Sequence, residues 1–171
     1  NILDIAKLFY SVFNIKFQLR LGTRPQDFMG NKKDWDKAEE DLKDVLDKSG
    51  LYYYIGKGEG AFYGPKIDIM MQDCLNRDWQ LGTIQLDFQI PKNFGLTYTD
   101  SDGSLKTPIV IHRVIYGSLE RFMGILIEHF AGAFPLWLSP IQTVILPVGG
   151  KNIEYANSIN MSLKAKNIRS E

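Results

Sequence analysis

A single cysteine, Cys74, leaves no possibility of a disulfide within the chain. That fits a reducing, cytoplasmic setting. Excess charge of either sign is also missing, with 20 Lys+Arg against 20 Asp+Glu. Bulk charge therefore gives no pull toward nucleic acid, and any RNA contact must be local or made elsewhere. No apolar run reaches about 18 residues, so no membrane span is expected. Position 1 is not methionine, and no basic segment precedes an apolar core, so no signal peptide is expected. The opening Asn1-Ile2-Leu3 reads as a cut in mid-protein. There are two histidines, His112 and His129. With Cys74 they do not amount to a zinc site, which needs three or more convergent ligands. Repeats and low-complexity stretches are absent. What remains is 171 residues, 44% hydrophobic and 23% charged, enough for one globular domain or slightly more.

Apolar periodicity predicts a helix over 2–13, with Ile2, Ile5, Leu8, Phe9 and Val12 as its stripe. Residues 15–21 alternate, with Ile15, Phe17, Leu19 and Leu21 opposite Lys16, Gln18 and Arg20, as in a half-buried strand. A helix follows, capped by Asn31, with Trp35, Ala38, Leu42, Val45 and Leu46 on its apolar side. Glu39–Lys43 and Asp44–Lys48 are spaced for ion pairs on its wet side, and Gly50 marks its end. A short strand at 51–55, a hairpin of 66–73 with 79–88, a small hairpin around 100–103 and a strand at 108–112 come next. A helix over 119–131 follows, stopped by Gly132 and Pro135. The segment 142–148 reads as an apolar strand and 153–166 as a helix. This order predicts an α+β fold, an antiparallel sheet flanked by helices. The Pro135–Pro140 segment suggests a boundary, giving domains 1–138 and 139–171, the second a βα opening unit.

Three segments could carry chemistry. In the strand Trp79–Phe88, Gly82, Ile84, Leu86 and Phe88 read as the core face. Trp79, Leu81, Thr83, Gln85 and Asp87 form the other, which is either a wet sheet surface or a ligand face offering fixed donors and acceptors. In Gly58–Lys66, glycines permit close backbone approach to a ligand or simply make turns, and Lys66 could face phosphate or carboxylate. The segment matches neither the P-loop nor the dinucleotide fingerprint. At Gly117–Phe122, Ser118 caps a helix with Arg121 in its first turn. That is either an anion site for a nucleotide triphosphate or a surface arginine on an ordinary helix. His112, ending an apolar strand, reads as a core histidine or a ligand.

Taken jointly, Gly58–Asp68, Trp79–Phe88, Ile111-His112-Arg113 and Gly117–Phe122 resemble threonyl-tRNA synthetases in order and spacing. Thr23-Arg24-Pro25 and Trp35–Glu39 extend the resemblance over essentially the whole chain. It implies the later part of a class II catalytic domain followed by the start of an anticodon-binding domain. It implies ATP-dependent activation of threonine and transfer to tRNA(Thr), with Mg2+ accompanying ATP. Gly117–Phe122 resembles motif 3, whose arginine contacts ATP phosphates, and this assigns Arg121 that role. His112 matches one ligand of a zinc ion that binds the amino group and hydroxyl of threonine. Such a metal separates threonine from valine, whose methyl cannot coordinate. Tyr63, Thr83 and Gln85 match positions lining the amino acid pocket, and Lys66, Gln80 and Ser118 match positions near the substrates. The loop from Pro25 to Trp35 resembles one that orders over the amino acid.

The sequence departs from the family pattern in two ways. Leu81 stands where bacterial members commonly have cysteine. Motif 1, which builds the family's homodimer interface, motif 2 with its ATP-binding arginine, and two zinc ligands have no counterpart in the sequence. A chain with these gaps could be inactive alone. A non-catalytic amino-acid-binding paralogue is the alternative, and a proline or serine synthetase is a second.

Overall fold

A computed structural model describes residues 2–171. The chain separates into two compact units, one ending at Ile125 and one spanning Leu126–Glu171.

The first unit is built on a five-stranded sheet in the order β2-β1-β3-β4-β7. Helix α1 (Ile2–Val12) leads into β1 (Phe17–Gly22). Helix α2 (Lys32–Ser49) then carries the chain to β2 (Tyr53–Gly56), which pairs with β1 in parallel. The remaining pairs, β1 with β3 (Lys66–Gln72), β3 with β4 (Asp78–Asp87) and β4 with β7 (Val110–Val114), are antiparallel. The expected α+β architecture holds, with one parallel edge pair, because a helical crossover returns the chain in the same direction. Helix α3 (Gln89–Asn93) and a small hairpin of β5 (Tyr98–Thr99) and β6 (Leu105–Lys106) lie between β4 and β7, and α4 (Leu119–His129) follows.

Helix α2 forms where its caps and periodicity place it. The Asn31 side chain accepts from the N–H groups of Lys33 and Asp34, Gly50 ends the helix at φ 66°, and Trp35, Ala38, Leu42 and Leu46 are buried. Val45 is exposed. The ion pair on its wet side is Lys37–Asp41, and Glu39 instead accepts the Arg24 N–H at 2.6 Å, tying down the loop before the helix. Helix α1 differs from expectation. Leu3, Ala6, Tyr10 and Phe13 are buried, while Ile5, Leu8 and Val12 are exposed. The helix is apolar on more than one face, so periodicity alone does not select the buried one. Its aromatics select it, because Tyr10 packs on Phe17 and Phe13 on Phe122.

The β3–β4 pairing contains the decisive irregularity. Met70 pairs with Gln80, but Ile69 pairs with Gly82, so Leu81 is an extra residue, a β-bulge. Strict alternation would put Trp79 on the side of Thr83. The bulge puts Gln80 there and leaves Trp79 in the row of Met71 and Phe17. The core side of the sheet holds Leu19, Leu21, Ile67, Ile69 and Ile84, all buried. Each such side chain contributes on the order of 1.5–3 kcal/mol by leaving water.

In the second unit, 142–148 does not become the expected strand. It makes a single parallel bridge, Thr143 with Ser170, and its N–H groups at Gln142 and Ile145 donate to the carbonyls of Arg169 and Glu171. Helix α5 (Ile153–Ala165) follows a 3-10 turn, Gly150–Asn152, and has no buried residue. Among the described residues no helix is long and apolar enough to cross a membrane.

Two predictions follow from this packing. A Cβ on Gly64 would lie 1.8 Å from the Leu86 carbonyl oxygen. Gly64→Ala should therefore cost about 1–3 kcal/mol in urea denaturation, as overpacking does. In the β3–β4 turn, Asp73 is buried, which alone would raise its pKa. The Trp79 indole N–H, the N–H and guanidinium of Arg77 and the Leu75 N–H outweigh burial and hold it well below the usual range. Stability from Asp73 is thus present above its unfolded pKa of about 3.9 and is lost as pH falls below it. The stability gap between wild type and Asp73→Asn should shrink from pH 5 toward pH 2.

Candidate active site

The register of four strands gathers one polar face. Arg20 of β1, Asp68 of β3 and Thr83 of β4 lie in one cross-strand row, and Lys66, Gln85 and His112 lie in the next. Side chains in such rows project from the same face.

Asp68 is the hub. It is fully buried, with no exposed surface. One carboxylate oxygen accepts from Arg20 Nε at 3.1 Å and Nη2 at 2.7 Å and pairs with Lys66 Nζ at 3.1 Å. The other accepts from Gln80 Nε2 at 2.7 Å and Thr83 Oγ1 at 3.1 Å. Arg20 also donates to Gln80 Oε1 at 2.9 Å and lies 3.6 Å from Glu59. Burial disfavours charge on Arg20, but the hydrogen bond and charge of Asp68 outweigh it and raise its pKa. Lys66, Gln80 and Thr83, three of the expected substrate residues, are therefore held by one carboxylate.

A second group adjoins. Gln85 Oε1 accepts from the Tyr63 hydroxyl at 3.1 Å, and the Tyr63 ring meets the His112 ring edge-on at 6.3 Å. Gln85 Nε2 is buried without a hydrogen-bond partner among the described residues. Such a group costs about 1–3 kcal/mol unless a ligand supplies an acceptor. Buried Asp87 lies 2.9 Å from His112 Nε2, and its other oxygen accepts from the N–H groups of Gln89 and Ile90, both at 2.9 Å. Burial would raise the Asp87 pKa; the Ile90 N–H, the His112 ring and the Gln89 N–H outweigh it and keep it low. An ionised carboxylate only accepts, so Nε2 carries the proton and Nδ1 is the free nitrogen. The His112 side chain is 43% exposed, so it is not packed in the core.

Ser118 and Arg121 stand apart from both groups. Ser118 Oγ accepts the Arg121 N–H at 3.2 Å, as the capping pattern predicts. The turn before them is fixed from three sides. Tyr10 donates to the Ile115 carbonyl at 2.8 Å, and Tyr116 stacks on Phe9 at 5.2 Å. A Cβ on Gly117, φ 75°, would come within 2.7 Å of the Leu81 carbonyl at the bulge. The Arg121 guanidinium lies 5.7 Å from the Trp79 ring centroid.

Sequence reasoning does not single out Arg20 or Asp68 as site residues, and it places Asp87 on the mixed face of its strand without a role. The available signal for Asp68 was a charge inside the apolar run Ile67–Met71, two residues from Lys66 and so on its face. In Gly58–Lys66 the choice is between close ligand approach and a simple turn. At Gly64 the close neighbour is the chain's own backbone at Leu86.

Residues 2–130 match the family described as tRNA synthetase class II core domain (G, H, P, S and T). The threonine–tRNA ligase of Clostridium tetani is 50% identical over all 171 residues, and that of Finegoldia magna is 54% identical over 167 residues, 98% of the chain. The chain spans 27% and 26% of their lengths. A crystal structure described as the RNA binding domain of threonyl-tRNA synthetase from Cryptosporidium parvum superposes with a TM-score of 0.91 at 43% identity. That match covers 98% of this chain and 42% of the other. The chain therefore belongs to the class II tRNA synthetase core-domain family and is similar to its threonyl members along its whole length.

Proposed function

We propose that this chain supplies the amino acid face and the motif 3 arginine of a threonine–tRNA ligase, acting on threonine, ATP and tRNA(Thr). The observation that carries the reading is the polar face, above all the buried, unpartnered Gln85 Nε2 beside Tyr63 and His112. A small polar ligand completes that hydrogen-bonding pattern.

The threonine carboxylate oxygen forms a bond to the α-phosphorus of ATP, and the bond to the bridging oxygen breaks, releasing pyrophosphate. A hydroxyl of the terminal tRNA ribose then bonds to the threonyl carbonyl carbon, the acyl–phosphate bond breaks, and AMP leaves while the hydroxyl proton passes to its phosphate. Lys66 and Arg121 offset phosphate and carboxylate charge, and Tyr63, Gln80, Thr83, Gln85 and Ser118 orient the substrates. This is catalysis by position and electrostatics, with Mg2+ accompanying the nucleotide. No side chain of the face acts as a covalent nucleophile. Residues 139–171 open the anticodon-binding domain, and the whole enzyme is a homodimer.

His112 fits a zinc ligand. Its Nε2–H is held by Asp87, the arrangement that orients metal-binding histidines, and Nδ1 remains free. No group of three candidate ligands gathers among the described residues, so His112 is one member of a set completed from elsewhere. The zinc, when bound, supplies Lewis-acid recognition of the threonine amino and hydroxyl groups.

In the full-length protein, Arg121→Ala should lower threonine-dependent pyrophosphate exchange by at least about a hundredfold. Exchange near wild type would remove the assigned role. Asp87→Asn should weaken zinc binding by about 10–100-fold in a chelator competition assay. Unchanged zinc affinity and stoichiometry in both Asp87→Asn and His112→Ala would refute the zinc assignment.

A further inference from the structure

Arg121 is held in an unusual way for an arginine at a protein surface. Among the described residues no carboxylate pairs with it. Its neighbour is the Trp79 ring, 5.7 Å from the guanidinium carbon. A carboxylate would fix the side chain but neutralise it, and would compete with any anionic ligand. The face of an indole attracts the guanidinium while leaving its full charge available.

Trp79 is itself fixed. Its Nε1–H donates to Asp73 Oδ2 at 2.7 Å, which sets the rotation of the ring. The same oxygen accepts from Arg77 Nε at 2.6 Å, and Oδ1 accepts from the N–H groups of Leu75 and Arg77, both at 2.9 Å. The Arg77 guanidinium also lies 5.6 Å from the ring, but its charge is met by Asp73. The β3–β4 turn thus presents a rigid aromatic plate to one cation that is neutralised and one that is not.

We infer that Trp79, locked by Asp73, is a positioning residue for Arg121: it aims the uncompensated guanidinium at the triphosphate without quenching its charge. This rests on the reading of Arg121 as a phosphate ligand. It adds a requirement that the reading does not contain, namely an electron-rich ring at position 79.

The test uses the full-length protein and measures pyrophosphate exchange at varied ATP and varied threonine. Trp79→Leu should raise KM for ATP about tenfold and leave KM for threonine within about twofold, the scale of a partly desolvated cation–π contact. Trp79→Phe, which keeps a ring but has no N–H for Asp73, should recover only part of that loss. In an Arg121→Ala background Trp79→Leu should add no further loss in kcat/KM, since the two act as a unit. Fluorinated tryptophan placed at position 79 alone keeps the shape and weakens the ring face. KM for ATP should then rise stepwise with fluorine number, an outcome readable even if Trp79→Leu does not fold. Independent, multiplicative effects of Trp79→Leu and Arg121→Ala, or a KM for ATP indifferent to fluorination, would overturn the inference. If Arg121→Ala itself leaves exchange intact, the phosphate role of Arg121 fails first, and this proposal falls with it.

Discussion

A buried carboxylate surrounded by cations and amides governs the polar face of the sheet. Asp68 has no contact with water, and an isolated charge in that position would cost several kcal/mol. Its cost is offset only because Arg20, Lys66, Gln80 and Thr83 all turn toward it. The consequence runs outward as well as inward. Long side chains such as Lys66 and Gln80 would otherwise sample many rotamers; here they are pinned from below by Asp68. Two cations face one buried carboxylate, and Glu59 at the edge, 3.6 Å from Arg20, brings these four groups to charge balance.

The parts of the fold that follow local rules were legible in the sequence. β1 alternates and buries the side that its alternation names, and α2 begins at Asn31 and ends at Gly50. Two features were not legible, each because a partner outside the element decides it. The buried side of α1 is chosen by aromatic contacts with Phe17 in the next strand and Phe122 far along the chain. Glu39 has a lysine four residues on, yet it bonds a backbone N–H in the preceding loop.

For the candidate site, the residues named from motif resemblance do gather, except that Ser118 and Arg121 sit apart at the start of α4. Their supports were the harder part to see. Asp68 and Asp87 act through hydrogen bonds to residues 12 to 48 positions away, a separation that no spacing rule captures. The face of β4 was misread in its first half for one reason: the pleat has period two only while pairing is unbroken, and the extra residue at Leu81 resets it.

That reset makes β4 serve two masters. Before Leu81 the strand sends Trp79 toward Arg121; after it, Thr83 and Gln85 belong to the polar face of the sheet. The strand therefore has a length constraint that composition does not express. Deleting one residue between Trp79 and Thr83 would leave both side chains in the sequence yet move Trp79 to the opposite face of the sheet, away from Arg121. In lineages that share this hairpin, insertions and deletions should accumulate in the exposed β5–β6 turn and be purged from these five positions, even where substitutions among them are accepted.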